Sequence, residues 1–195
     1  MDKNEIFVIY GDNLRNMTLE ILQKANLAEQ ILKKYKMLSQ IQSDANADSS
    51  EHQKIKIGIK PNLVGTIPPE KGATTHPEII AAIVEYLQEN GFYHILILEG
   101  SWVGDNTKRA FKSLGYEDIS KNYNVPLLDT KHDNFTKKEY NGITMEISET
   151  ALNLDFLINV PVLKGHCQTK MTGALKNLKG IISDKEKRHF HTLEI

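Results

Sequence analysis

Three times in the first half of the chain a short, β-prone apolar run stops abruptly at turn-forming or polar residues and gives way to helical spacing. That recurrence constrains the fold more than any other feature, because alternating strands and helices close most readily as a parallel sheet covered by helices. Residues 6–10 (IFVIY) meet Gly11, Asp12 and Asn13, which reads as a strand entering a loop. From Thr18 to about Lys36, Leu19, Ile21, Leu22, Ala25, Leu27, Ile31 and Leu32 recur at near-helical spacing and predict one helix. Residues 42–53 (QSDANADSSEHQ) have no apolar face and read as a polar surface loop. Ile55, Ile57 and Ile59 then alternate with Lys54, Lys56 and Gly58 in a second strand that delivers Lys60, Pro61 and Asn62 at its tip. Pro77 suits the first position of a helix whose stripe is Ile79, Ile80, Ile83, Val84 and Leu87 and whose stop is Asn90–Gly91. Residues 94–98 (HILIL) form a third strand, followed by a helix capped by Asp105 and closed by Gly115.

In the second half, residues 125–128 are a short strand candidate. An Asn141–Gly142 turn between β-prone flanks predicts a hairpin over about 136–147. The continuous apolar run 156–162 (FLINVPV) is expected of a central strand. The predicted fold is α/β, with a mostly parallel sheet, flanking helices in Rossmann-like layers and an added hairpin, as a single domain over residues 1–195. In such sheets ligands bind beyond the carboxyl ends of the strands, which selects three loops.

Composition narrows the partners. A net charge of −1 gives no bulk attraction to nucleic acid or to an anionic membrane. The apolar runs fall far short of the roughly 20 residues needed to span a bilayer. Met1 leads directly into Asp2, Lys3 and Asn4 with no secretory leader, so a cytoplasmic protein is expected. Cys167 is the only cysteine, which excludes an internal disulfide and an iron-sulfur cluster held by this chain's own thiolates. His76, His94, His132, His166, His189 and His191 match no compact metal motif, and the last two sit where a flexible tail is expected. No Walker loop and no G-x-G-x-x-G is present, so nucleotide binding has no direct support from a motif.

The first loop supplies Lys60 and Asn62, then Thr74, Thr75 and His76 at a helix start, where backbone donors and hydroxyls can hold a carboxylate or phosphate. Thr75 or His76 acting only as a cap is the alternative. The second loop holds Glu99, Trp102 and Asp105 around two glycines, and Trp102 can stack on a flat ligand or lie over the core. Lys108 and Arg109 read as a solvated helix face. The third loop and its helix carry Lys164, His166, Cys167, Lys170, Lys176, Asn177 and Lys179, a local positive field suited to an anion. Lys164 as electrostatic stabiliser and His166 as general base are the catalytic candidates. Lys60, Asn62, Thr74, Thr75, His76, Glu99, Trp102, Asp105, Lys170, Lys176 and Asn177 are the ligand-binding candidates. A solvated basic rim is the alternative, and Cys167 reads as a small hydrophobe rather than a nucleophile.

The segments KPNLV (60–64), GATTHPE (72–78), EGSWVGDNTKRAF (99–111) and INVPVLKGHCQTKMTGALKNLKG (158–180), in that order, resemble the domain-of-unknown-function 362 family. The resemblance implies association with ferredoxin-type iron-sulfur modules, which relatives often carry in the same polypeptide. The four-cysteine runs of that module are absent here. Relatives are expected to continue beyond the Lys-rich motif, so the domain reads as one that can be truncated after Ile195. LKGH and TGALKN are also distantly analogous to segments of nickel-pincer lactate racemases. The expected function is binding of a small anionic metabolite or an unidentified cofactor, with redox or isomerase chemistry. The alternative is a non-catalytic redox partner that docks a separate ferredoxin-like protein.

Overall fold

In a computed structural model that describes residues 5–39, 51–167 and 170–192, the elements in chain order begin with α1 (Leu14–Lys24) and α2 (Leu27–Ser39). Next come β1 (Ile57–Lys60), α3 (Pro77–Glu89), β2 (Ile95–Glu99), α4 (Thr107–Ser113), α5 (Tyr116–Tyr123) and β3 (Leu127–Asp129). The antiparallel hairpin β4 (Phe135–Tyr140) and β5 (Ile143–Ser148) follows, then α6 (Glu149–Leu152) and β6 (Phe156–Asn159). The chain ends in a small antiparallel pair, β7 (Lys164–His166) and β8 (Lys170–Thr172), and the helices α7 (Ala174–Asn177) and α8 (Asp184–Thr192).

The main sheet is wholly parallel in the order β3-β2-β1-β6, so the expected α/β fold with a parallel sheet, flanking helices and a separate hairpin is what the chain adopts. β1 is buried along its whole length because both neighbours and the helices cover it. Ile80, Ile83, Val84 and Leu87 of α3 form the core with Ile57, Ile59, Ile97, Phe92 and Tyr116. Leu22 of α1 and Ile31 of α2 join the same cluster, and an Arg15–Glu85 ion pair ties α1 to α3. From β1 the chain moves to β2 and β3 on one side and then returns to place β6 on the other. The strand order therefore reverses between β1 and β6, the position where open α/β sheets form a crevice.

Several expectations are corrected. Residues 6–10 form no strand: Ile6, Val8 and Tyr10 are exposed and the segment has no ladder partner among the described residues. The single helix over 18–36 is two helices, broken where Asn26 adopts φ 48°. Asn106, not Asp105, caps α4 through a bond from the Arg109 N–H (2.9 Å). The run 156–162 is not a central strand: β6 is an edge strand beside β1, half-buried throughout, with Phe156 and Ile158 packed against the core. Residues 189–192 belong to α8 rather than a loose tail. Of the polar loop expected at 42–53, Glu51–Gln53 form a 3-10 turn and the remainder lies outside the described residues.

Candidate functional site

β1 and β2 both end on a charged residue because each apolar strand stops where the sheet edge meets the loops, and the two charges face each other. Lys60 Nζ lies 2.7 Å from Glu99 Oε1, and both side chains are almost fully buried. The same oxygen accepts the Gly100 N–H (2.7 Å), while Oε2 accepts the Leu63 N–H (2.8 Å). Lys60 also donates to the Pro61 carbonyl (2.8 Å) and the Asn177 amide oxygen (3.3 Å). Burial pushes the Lys60 ammonium down from its ordinary range and the Glu99 charge pushes it back. Such a pair persists in a low-dielectric site because its remaining donors and acceptors are all satisfied. Gly180 crosses directly over it, and any Cβ there would collide with the Glu99 carboxylate and the Lys60 ammonium.

Asn177 closes the crevice between β1 and β6. Its amide donates to Asn159 Oδ1 (2.7 Å) and to the carbonyls of Lys60 (3.2 Å) and Pro61 (3.3 Å). The turn of α7 is thereby fixed across the switch point. On top lies a cleft of about 580 Å³. Its lining includes Lys164, His166, Lys176 and Lys179, the apolar Leu63, Val64, Trp102 and Val103, and Glu99 and Lys187. Glu99 is the single carboxylate among the lining residues, and it already holds Lys60.

Lys164 Nζ donates to Asn62 Oδ1 (2.7 Å) and to the Ala73 carbonyl, so the third loop is tied to the first through neutral acceptors. Lys176 Nζ and His166 Nε2 are hydrogen-bonded, which makes the imidazole the acceptor when the amine is charged. Partial burial, followed by the charges of Lys176, Lys179 and Lys164, holds His166 below its ordinary range. Burial likewise lowers Lys164, Lys176 and Lys179, with Glu99 opposing at Lys164. Lys187, buried on α8, donates to Asp184 (3.0 Å) and to the carbonyls of Gly100 (3.2 Å) and Ser101 (3.4 Å).

Asn62, Glu99, Trp102, Lys164, His166, Lys176 and Asn177 thus line one cleft, with Lys60 under its floor. The other candidates lie elsewhere. Thr74 donates to the Ile67 carbonyl (2.8 Å). Thr75 is neither a cap nor a cleft residue: its hydroxyl accepts the Asn62 N–H (2.8 Å) and donates to the Val160 carbonyl (2.9 Å), latching the first loop to the end of β6. His76 stands at the start of α3 without a capping bond from its side chain. Asp105 pairs with exposed Arg109 (2.9 Å), and Lys170, left-handed on β8, is not among the residues that line the cleft. Sequence reasoning missed Lys187 and Gly180. Lys187 sits in a charged segment whose helicity is faint, and only its three-residue spacing from Asp184 hinted at an ordered turn. No group of three or more His, Cys, Asp or Glu side chains able to hold a metal occurs among the described residues. None of their helices is long and apolar enough to cross a membrane.

A family model described as a domain of unknown function (DUF362) matches residues 57–194, which include every cleft residue named above. The thylakoid-associated protein sll1697 of Synechocystis sp. is 26% identical over 141 residues. That match covers 70% of this chain and 42% of the relative, so the chain spans less than half of that protein's length.

Proposed function

The chain belongs to the DUF362 family, and from that membership we propose that it binds a small anionic metabolite or cofactor in the cleft at the β1/β6 switch point. The observation that carries this reading is the charge balance of the lining: Lys164, Lys176 and Lys179 stand around one carboxylate, Glu99, that already holds Lys60, while Lys187 is paired with Asp184. In a partly desolvated cleft such amines attract an anion far more strongly than surface lysines do. His166, held neutral near pH 7 and bonded to Lys176, is the group that takes or returns a proton, in keeping with redox or isomerisation chemistry on a bound carboxylate or phosphate. A cytoplasmic site of action belongs to the same reading, and recovery in the membrane pellet on cell fractionation would count against it.

Thermal denaturation of the full chain with phosphate, pyrophosphate or a 2-hydroxy carboxylate tests the proposal, since a ligand that binds the folded state raises its melting temperature. Stabilisation by at least one of these anions, lost in Lys164→Ala, is expected. An unchanged response in that variant sinks the assignment.

A second reading, docking of a ferredoxin-like protein, is favoured by one observation: Leu163, Met171 and Leu175 stand exposed beside the lysines, an apolar patch with a charged rim. Salt should then weaken pull-down of a ferredoxin steeply, and charge reversal at Lys108, Arg109, Lys176 and Lys179 should abolish it.

A further inference from the structure

The lining of the cleft is of two kinds. Lys164 and Lys176 end on neutral acceptors, the Asn62 amide and Ala73 carbonyl for one and the His166 imidazole for the other, so neither is ion-paired to a carboxylate among the described residues. The same cleft is lined by Leu63, Val64, Val103 and Trp102. The Trp102 main chain is held on both sides: its N–H donates to the Val64 carbonyl (3.2 Å) and its carbonyl accepts from Lys131 (2.9 Å). The six-membered ring of the indole lies against Gly104 so closely that a Cβ on that glycine would occupy ring atoms. One face of the ring is thus backed by the main chain while 62% of the residue is open to solvent.

We propose that the ligand is a flat aromatic ring bearing a phosphate monoester, its dianion held by Lys164 and Lys176 and its ring laid on Trp102 beside Val64 and Val103. This rests on the anion-binding reading above and narrows it. A phosphate monoester carries about −1.5 to −2 charges at pH 7, matching the two amines, whereas a monocarboxylate satisfies one. Its tetrahedral oxygens also offer acceptors to more than one ammonium group at once. A rigid indole supported from behind gives a π-face for an aromatic ring at little entropic cost, a use the fixed backbone of residues 102–104 suits. The cleft volume of about 580 Å³ admits a mononucleotide-sized molecule.

Trp102 is the only tryptophan, so its emission reports on the cleft directly. The full chain is titrated with AMP, with inorganic phosphate and with adenosine, following fluorescence and heat in parallel. AMP is expected to bind at least tenfold more tightly than either half alone and to change Trp102 emission. Trp102→Leu, an exposed position, should weaken AMP by about tenfold while leaving inorganic phosphate unchanged, as expected for loss of one stacked base. Lys176→Met should weaken both AMP and phosphate, with circular dichroism confirming that each variant is folded. Equal affinity for AMP and inorganic phosphate, or an unaltered AMP affinity in Trp102→Leu, overturns the aromatic-phosphate assignment while leaving the anion site standing. Adenosine binding as tightly as AMP overturns it from the other side. No binding of AMP or phosphate overturns it as well, and the anion-binding reading falls with it only if pyrophosphate and a 2-hydroxy carboxylate also fail to bind.

Discussion

Removing either member of the Lys60–Glu99 pair leaves its partner as an unmatched charge in a buried site. Lys60→Met and Glu99→Gln are each expected to destabilise the fold by about 3–5 kcal/mol in urea unfolding, and the double variant by clearly less than their sum. The cleft amines make a prediction in pH. Burial lowers Lys164 and Lys176, so charging them costs the unliganded fold, and stability gains as pH rises from their folded values toward the unfolded ones. A bound anion favours the charged form and raises those values. Pyrophosphate binding should therefore take up protons at alkaline pH and weaken as pH climbs, which calorimetry in buffers of different ionisation enthalpy detects. Lys60, Glu99 and Lys164 were legible in the sequence because a charged residue at the end of an apolar run is rarely idle. Their division of labour was not, since pairing Lys60 with Glu99 beneath a glycine 120 positions after Lys60 is a tertiary fact with no local pattern.

Among the elements, α3 and the β4–β5 hairpin match what their punctuation predicts. Pro77 opens α3 and Asn90 with Gly91 closes it, while Asn141 (φ 49°) and Gly142 (φ 76°) make the hairpin turn that their order announces. The break between α1 and α2 was invisible because the apolar spacing runs on through Ala25 and Leu27 while the backbone does not. Its left-handed hinge gives a test: Asn26→Ala should cost about 1 kcal/mol in thermal unfolding and Asn26→Gly close to nothing. The β7–β8 pair escaped notice because KGH and KMT show no alternation, and its strands are set by the loops they join rather than by a buried face. β6 was misplaced for the opposite reason, being as apolar as an interior strand while occupying an edge.

At the scale of the whole molecule, stability is graded across the sheet. β1 is hydrogen-bonded on both sides and fully buried, whereas β6 is paired on one side only. Hydrogen-deuterium exchange should show amides of β1 and β2 exchanging only through global opening and those of β6 and the β4–β5 hairpin exchanging sooner. Equal protection of β1 and β6 would mean that the edge is covered in solution. The segment before α8 is pinned to the hairpin, with Ser183 bonded to Glu146 through both backbone and side chain (3.1 and 2.9 Å). Lys187 on α8 reaches back to the second loop, so the end of the described chain supports the cleft. Lys60, Glu99 and Gly180 come from three distant stretches of chain and meet at one point under that cleft. In evolutionary terms each forbids the others to drift alone: losing one charge strands the other, and any side chain at Gly180 evicts both. Across the family, genetic change there is expected to come as joint replacement of the three positions, with single-step intermediates selected against before any question of ligand arises.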